Sequence, residues 1–179
     1  AHLMGVVSDG GVHGHVDHII AAAKALTNAD VPVAIHAITD GRDVAPSSAE
    51  AFMKMLEDDL PPKAQVVTVI GRYFAMDRDN RWDRVQTAYD AMIGGAGPSA
   101  DTPQDAIRSA YADGKTDEFI PATVIADYAG VAEGDGLFCL NFRSDRAREI
   151  LAAIADPGFD GFTREQPELA ALLGMVSYS

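Results

Sequence analysis

Short β-rich runs alternate along this chain with longer stretches of helical periodicity, and that alternation leaves few folds open. Leu3 to Ser8 reads as a strand. Asp9-Gly10-Gly11 then turns the chain toward a helix from His15 to Asn28, with Ile19, Ile20, Ala23 and Leu26 along one side. Val31 to Ile38 is a second strand and Gln65 to Ile70 a third. Between them, Ser47 and Glu50 form a capping box that opens a helix running to Leu60. Trp82 to Ile93 reads as helix, stopped by Gly94-Gly95-Ala96-Gly97-Pro98, and Thr102-Pro103 supplies the N-cap and first residue of a helix to Ala112. Phe119 to Ile125 is a strand that Pro121 interrupts or confines to an edge. Leu137 to Phe142 is a clearer strand and Asp145 to Ala155 a helix. Glu168 to Leu173 reads as a last helix, and Met175-Val176-Ser177-Tyr178 as the beginning of a strand. Parallel strands need crossovers, which helices supply, so the expected architecture is an α/β domain: a three-layer α/β/α sandwich around a mostly parallel sheet.

The 179 residues fit one such domain, and no linker rich in Pro, Gly or Ser divides them. A net charge of −13 argues against a general nucleic-acid binder, and no apolar run approaches the length of a membrane span. The one cysteine, Cys139, has no internal disulfide partner, which makes a reducing, cytoplasmic setting the simpler expectation. Against this acidic background the cations are unevenly placed. Lys24, Lys54, Lys63 and Lys115 are the only lysines, whereas arginines gather at Arg42, from Arg72 to Arg84, and from Arg143 to Arg148. A planar guanidinium grips carboxylate and phosphate bidentately.

On the strand outline these arginines fall into register. His13 follows the first strand, Arg42 and Asp43 the second, Arg72 and Arg78 the third, and Arg143 and Arg146 the strand ending near Phe142. An open parallel sheet binds its ligands outside the carboxyl ends of its strands. Four strand ends thus converge on a small anionic ligand. Asp43 either pairs with Arg42 to fix its loop or accepts hydrogen bonds from substrate hydroxyls. Asp77, Asp79 and Asp83 interleave with Arg78, Arg81 and Arg84 as a salt-bridged scaffold, and Tyr73 and Trp82 read as packing residues. His13, His15 and His18 with Asp17 form a weak metal-site pattern; His13 is the better candidate for substrate contact and proton transfer. The chain holds neither G-x-G-x-x-G after its first strand nor a P-loop, so nucleotide readings lose their main support.

Together, Ser8-Asp9-Gly10-Gly11-Val12-His13, Asp40-Gly41-Arg42-Asp43, Gly71-Arg72-Tyr73 through Asp83-Arg84, and Asn141-Phe142-Arg143-Ser144-Asp145-Arg146 resemble the substrate-binding domain of the cofactor-independent phosphoglycerate mutases. The resemblance implies interconversion of 3-phosphoglycerate and 2-phosphoglycerate through a phosphoserine. That serine and two metal ions, usually manganese, would sit in a phosphatase-like domain whose motifs this chain lacks. It implies substrate contacts at His13, Arg42, Asp43, Arg72, Arg78, Arg143 and Arg146, with His13 and Asp43 handling hydroxyl protons and no metal in this domain. The chain is then expected to be an inserted domain of a longer enzyme, inactive as a mutase by itself. The alternatives are a stand-alone binding module for a phosphorylated or carboxylate metabolite and a metal-dependent hydrolase using the three histidines.

Overall fold

A computed structural model describes residues 1–178. Within them β1 (His2–Val6), β2 (Val33–Thr39), β3 (Ala64–Gly71), β4 (Ser99–Ala100), β5 (Thr123–Ile125), β6 (Gly136–Cys139) and β7 (Ala171–Gly174) form one sheet in the order β4-β5-β3-β2-β1-β6-β7. The five strands from β7 to β3 run parallel, and β5 is antiparallel to β3. The order reverses at β1: the chain first winds outward through β2 and β3, then returns to lay β6 and β7 on the other side. Such a reversal opens a crevice at the carboxyl ends.

Side chains alternate across the sheet and feed two cores. Leu3, Ile35, Ala37 and Val69 pack under α1 (Val16–Asn28), α2 (Ala49–Asp59) and α5 (Pro103–Ala112), which contribute Ile19, Met53, Leu56 and Ile107. Met4, Ile38 and Ile70 face the other way, under α3 (Arg72–Ala75), α4 (Trp82–Gly94) and α6 (Arg148–Ala155), which contribute Met92, Ile150 and Ile154. This is the expected three-layer sandwich. Each such side chain, fully buried, contributes about 1.5–3 kcal/mol of apolar transfer.

Three local expectations fail, each because a distant group intervenes. Ser47 and Glu50 do not cap α2. Instead the buried carboxylate of Asp117, in a 3₁₀ turn spanning Asp117–Phe119, accepts from the backbone N–H groups of Ser48 at 2.8 Å and Ala49 at 2.9 Å. Glu168 to Leu173 is not a helix. Ala171–Gly174 pairs in parallel with β6, whose open edge offers a ladder that a six-residue helix could not match in cooperativity. Met175 to Tyr178 does not continue a strand; the Tyr178 hydroxyl donates to the Asn141 carbonyl instead. A smaller shift occurs at α6, which starts at Arg148 after a 3₁₀ turn at Ser144–Arg146 rather than at Asp145. By contrast, Thr102 caps α5 as expected, accepting from the Asp105 N–H at 3.1 Å, and Gly95 stops α4 with φ +60°.

A polar chain crosses the buried sheet. Thr68 Oγ1 lies 3.0 Å from His36 Nδ1, His36 Nε2 lies 3.0 Å from His2 Nδ1, and His2 Nε2 lies 3.0 Å from Asp135 Oδ2. Burial, and then the neighbouring His2, pushes His36 well below its ordinary pKa.

Candidate functional site

The carboxyl ends of β1, β2, β3 and β6 share one edge, so the loops that follow them meet. At the end of β2, Asp40 is almost fully buried. Its Oδ2 accepts from Ser8 Oγ, after β1, at 2.7 Å, and its Oδ1 accepts from the N–H groups of Arg42 at 3.2 Å and Asp43 at 3.0 Å. Gly41 makes this turn possible: it sits at φ +67°, and a Cβ there would come within 2.7 Å of Asp117 Cβ. Arg72, after β3, donates through Nη1 to Asp40 Oδ1 and Asp43 Oδ2, each at 2.6 Å, and is itself only 3% exposed. Burial alone would raise the pKa of Asp40. The bonds from Ser8, the Asp43 amide and Arg72 outweigh it and hold the carboxyl below its ordinary value.

Arg42, Arg72, Arg78 and Arg146 line one cavity of about 420 Å³, together with Arg84, Tyr73, Met76, Asp77, Asp79, Glu118 and Phe119. Five arginines face three carboxylates there, and those carboxylates are partly committed. Asp77 Oδ1 accepts from Arg84 at 3.2 Å and its Oδ2 from the N–H groups of Asp79 and Arg81. Glu118 lies 3.5 Å from Arg42. Burial first, then the like charges of Arg78, Arg72 and Arg42, push the pKa of Arg146 below its ordinary value. Arg146 forms no ion pair among the described residues, its Nη1 donating to the Met76 carbonyl at 3.3 Å, so its charge is available to an anion.

The other expected residues stand beside this cavity rather than on its wall. Asp43 pairs with Arg72, not with Arg42. Arg143 Nε lies 2.9 Å from Asp145 Oδ1, and Arg78 reaches the other oxygen of the same carboxylate at 3.1 Å. His13 is buried between the two acids, its ring nitrogens 3.9 Å from Asp43 Oδ2 and from Asp145 Oδ1. Its Nδ1 makes no hydrogen bond among the described residues. Burial, then the charge of Arg72, lowers the His13 pKa, so the ring is neutral near pH 7 and able to take a proton.

The metal pattern dissolves. His15 caps α1 by accepting from the Asp17 N–H at 3.2 Å, His18 leans edge-on to Phe142, and His13 points into the acid pair. Among the described residues no group of three or more His, Cys, Asp or Glu could hold a metal ion. Asp40 and Glu118 gave no distinct signal in the sequence, because their arginine partners Arg72 and Arg42 lie 32 and 76 residues away; Arg84, part of the expected scaffold, pairs with Asp77 and stacks its guanidinium 3.8 Å above Tyr73. Tyr73 therefore does more than pack, since it carries one of the cavity's arginines. Trp82 packs edge-on against Phe159.

Fold and site together define an α/β domain with an arginine-lined cavity at the carboxyl ends of a mostly parallel sheet. The whole chain, residues 1–179, matches the family described as "BPG-independent PGAM N-terminus", and it belongs to that family. It is 66% identical over 180 residues to the 2,3-bisphosphoglycerate-independent phosphoglycerate mutase of Ruegeria pomeroyi and 65% identical to that of Dinoroseobacter shibae. All of this chain is covered in both matches, but it spans only 36% of the length of those relatives. A crystal structure of Leishmania mexicana phosphoglycerate mutase at low cobalt concentration superposes with a TM-score of 0.91 at 31% identity, covering 97% of this chain and 35% of that one.

Proposed function

We propose that this chain is the substrate-holding domain of a phosphoglycerate mutase that interconverts 3-phosphoglycerate and 2-phosphoglycerate. The observation that carries the reading is the five-arginine cavity, in which the buried Arg72 is anchored and Arg146 has no carboxylate partner among the described residues. Phosphoglycerate brings a phosphate and a carboxylate to it. In this reading Arg42, Arg72, Arg78, Arg143 and Arg146 hold those anionic groups, while Asp43 and the neutral His13 accept and return the protons of the glycerate hydroxyls. Phosphoryl transfer depends largely on positioning and charge stabilisation, which is what such a cluster supplies. The phosphoserine nucleophile and its metal ions, manganese in the resembling enzymes, would belong to a phosphatase-like domain elsewhere in the longer protein. The donors here do not fit a metal: Asp40 and Asp43 are committed to Arg72, and no metal-sized cluster is present among the described residues. The buried thiol of Cys139, which forms no disulfide among the described residues, supports a cytoplasmic setting, and no helix among the described residues is long and apolar enough to cross a membrane. A stand-alone binding module is less favoured, because the relatives that contain this whole chain carry the mutase name.

A titration of this chain with 3-phosphoglycerate, followed by amide NMR, tests the reading. Shifts confined to the loops after β1, β2, β3 and β6 are expected. Unperturbed arginine loops at millimolar ligand would sink it. The chain assayed alone with manganese is expected to show no mutase turnover.

A further inference from the structure

One buried carboxylate has no task in that scheme. Asp40 is 3% exposed and is absent from the cavity wall. Its contacts are the Arg42 and Asp43 amides and Arg72 Nη1, all on residues assigned to the ligand, and Ser8 Oγ at the end of β1. Asp43 Oδ2 takes the same Nη1 at 2.6 Å. Two carboxylates on one nitrogen set the roll of the guanidinium as well as its place. With Nη1 directed inward, Nε and Nη2, which have no protein partner among the described residues, are the donors left for an anion.

We propose that Asp40 is a positioning residue of this site, aiming Arg72 through Nη1 while its other contacts fix the Arg42–Asp43 turn. The proposal rests on the phosphoglycerate reading for its ligand but not for its geometry. A turn-fixing role needs only the acceptor oxygen Oδ1, which asparagine also has. Aiming Arg72 needs the negative charge, because a neutral amide oxygen shared among three donors holds a guanidinium weakly. Asp40→Asn therefore separates the two roles.

The test measures three things in Asp40→Asn and in the unaltered chain: the amide resonances of Arg42 and Asp43, the Kd for 3-phosphoglycerate, and the pH titration of the His13 ring without ligand. The proposal expects the turn amides to stay near their original positions and the Kd to weaken about tenfold or more, the loss of one charged hydrogen bond. It also expects His13 to titrate at lower pH, since Arg72 then presents less-neutralised charge to the ring. Binding within twofold and an unmoved His13 would overturn it, leaving Asp40 as turn chemistry alone. Should Asp40→Asn fail to fold, Ser8→Ala carries the test, because it releases Oδ2 and loosens the carboxylate: weaker binding supports aiming and unchanged binding overturns it. Failure of the unaltered chain to bind 3-phosphoglycerate would instead reject the functional reading, and the His13 titration would still decide the role of Asp40.

Discussion

Replacing Arg72 with methionine keeps most of the side-chain volume and removes one charge from the best-connected point of the site. In the native chain that guanidinium holds two carboxylates, Asp40 at 3% side-chain exposure and Asp43 at 19%. Removing one partner of a buried pair costs roughly 3–5 kcal/mol. Asp40 keeps its bonds from Ser8 Oγ and the amides of Arg42 and Asp43, so the low end applies, about 3 kcal/mol. For a domain of this size each kcal/mol moves Tm by about 2–4 °C, which gives a loss of roughly 6–12 °C at pH 7. The loss must also depend on pH. In the native chain the Asp40 pKa lies below its unfolded value, so it contributes stability above pH ~4 that disappears as the pH falls through the folded value. In the variant nothing cationic holds it down, its folded pKa rises, and protonation relieves the stranded charge. Circular-dichroism melts of both proteins at pH 7 and pH 4 should therefore show a deficit that narrows on acidification. A deficit below about 2 °C at pH 7, or one that widens at pH 4, would refute the reasoning.

Three further outcomes follow from the same geometry. Glu118→Gln removes the carboxylate 3.5 Å from the exposed Arg42, so calorimetry should show 3-phosphoglycerate binding about two- to fivefold tighter; unchanged or weaker binding counts against Glu118 as a competitor for that arginine. Asp117→Ala removes the Oδ2 that accepts from both amides at the start of α2 and should cost about 1–2 kcal/mol, read by calorimetric melting, whereas Ser47→Ala should cost almost nothing. The pKa values of His2, His13 and His36 all lie below the ordinary 6.5, so the unfolded chain takes up protons that the folded chain refuses. The histidine contribution to stability is then present above pH 6.5 and is lost as the pH drops below it, so the urea midpoint should decline between pH 6.5 and 5.5.

How much of this was legible depended on the range of the interaction. The N-cap at Thr102 is visible because its acceptor and donor lie three residues apart, and α1 is visible because Ile19, Ile20, Ala23 and Leu26 repeat at helical spacing. The cap of α2 was misread because Asp117 lies 68 or 69 residues from the amides it caps. The stretch ending in Ala171–Gly174 was misread as helix because its ladder partner is β6, and an open strand edge leaves no mark in the segment that fills it. In the site, the arginines and His13 could be assigned to strand ends from the sequence pattern. Their division could not: Arg42, Arg72, Arg78 and Arg146 on the cavity wall, His13, Asp43 and Arg143 beside it.

The sequence by itself determined the alternation of strands and helices, and with it the three layers, the parallel sheet and the edge where charge collects. Those properties follow from hydrophobic period and residue type, which act over a few positions. Only the tertiary structure decided which acid holds which arginine: Asp40 and Asp43 on Arg72, Asp145 between Arg78 and Arg143, Glu118 against Arg42. Charge pairing depends on distance and burial in space, and the sheet's strand order brings together groups from loops that the sequence keeps far apart.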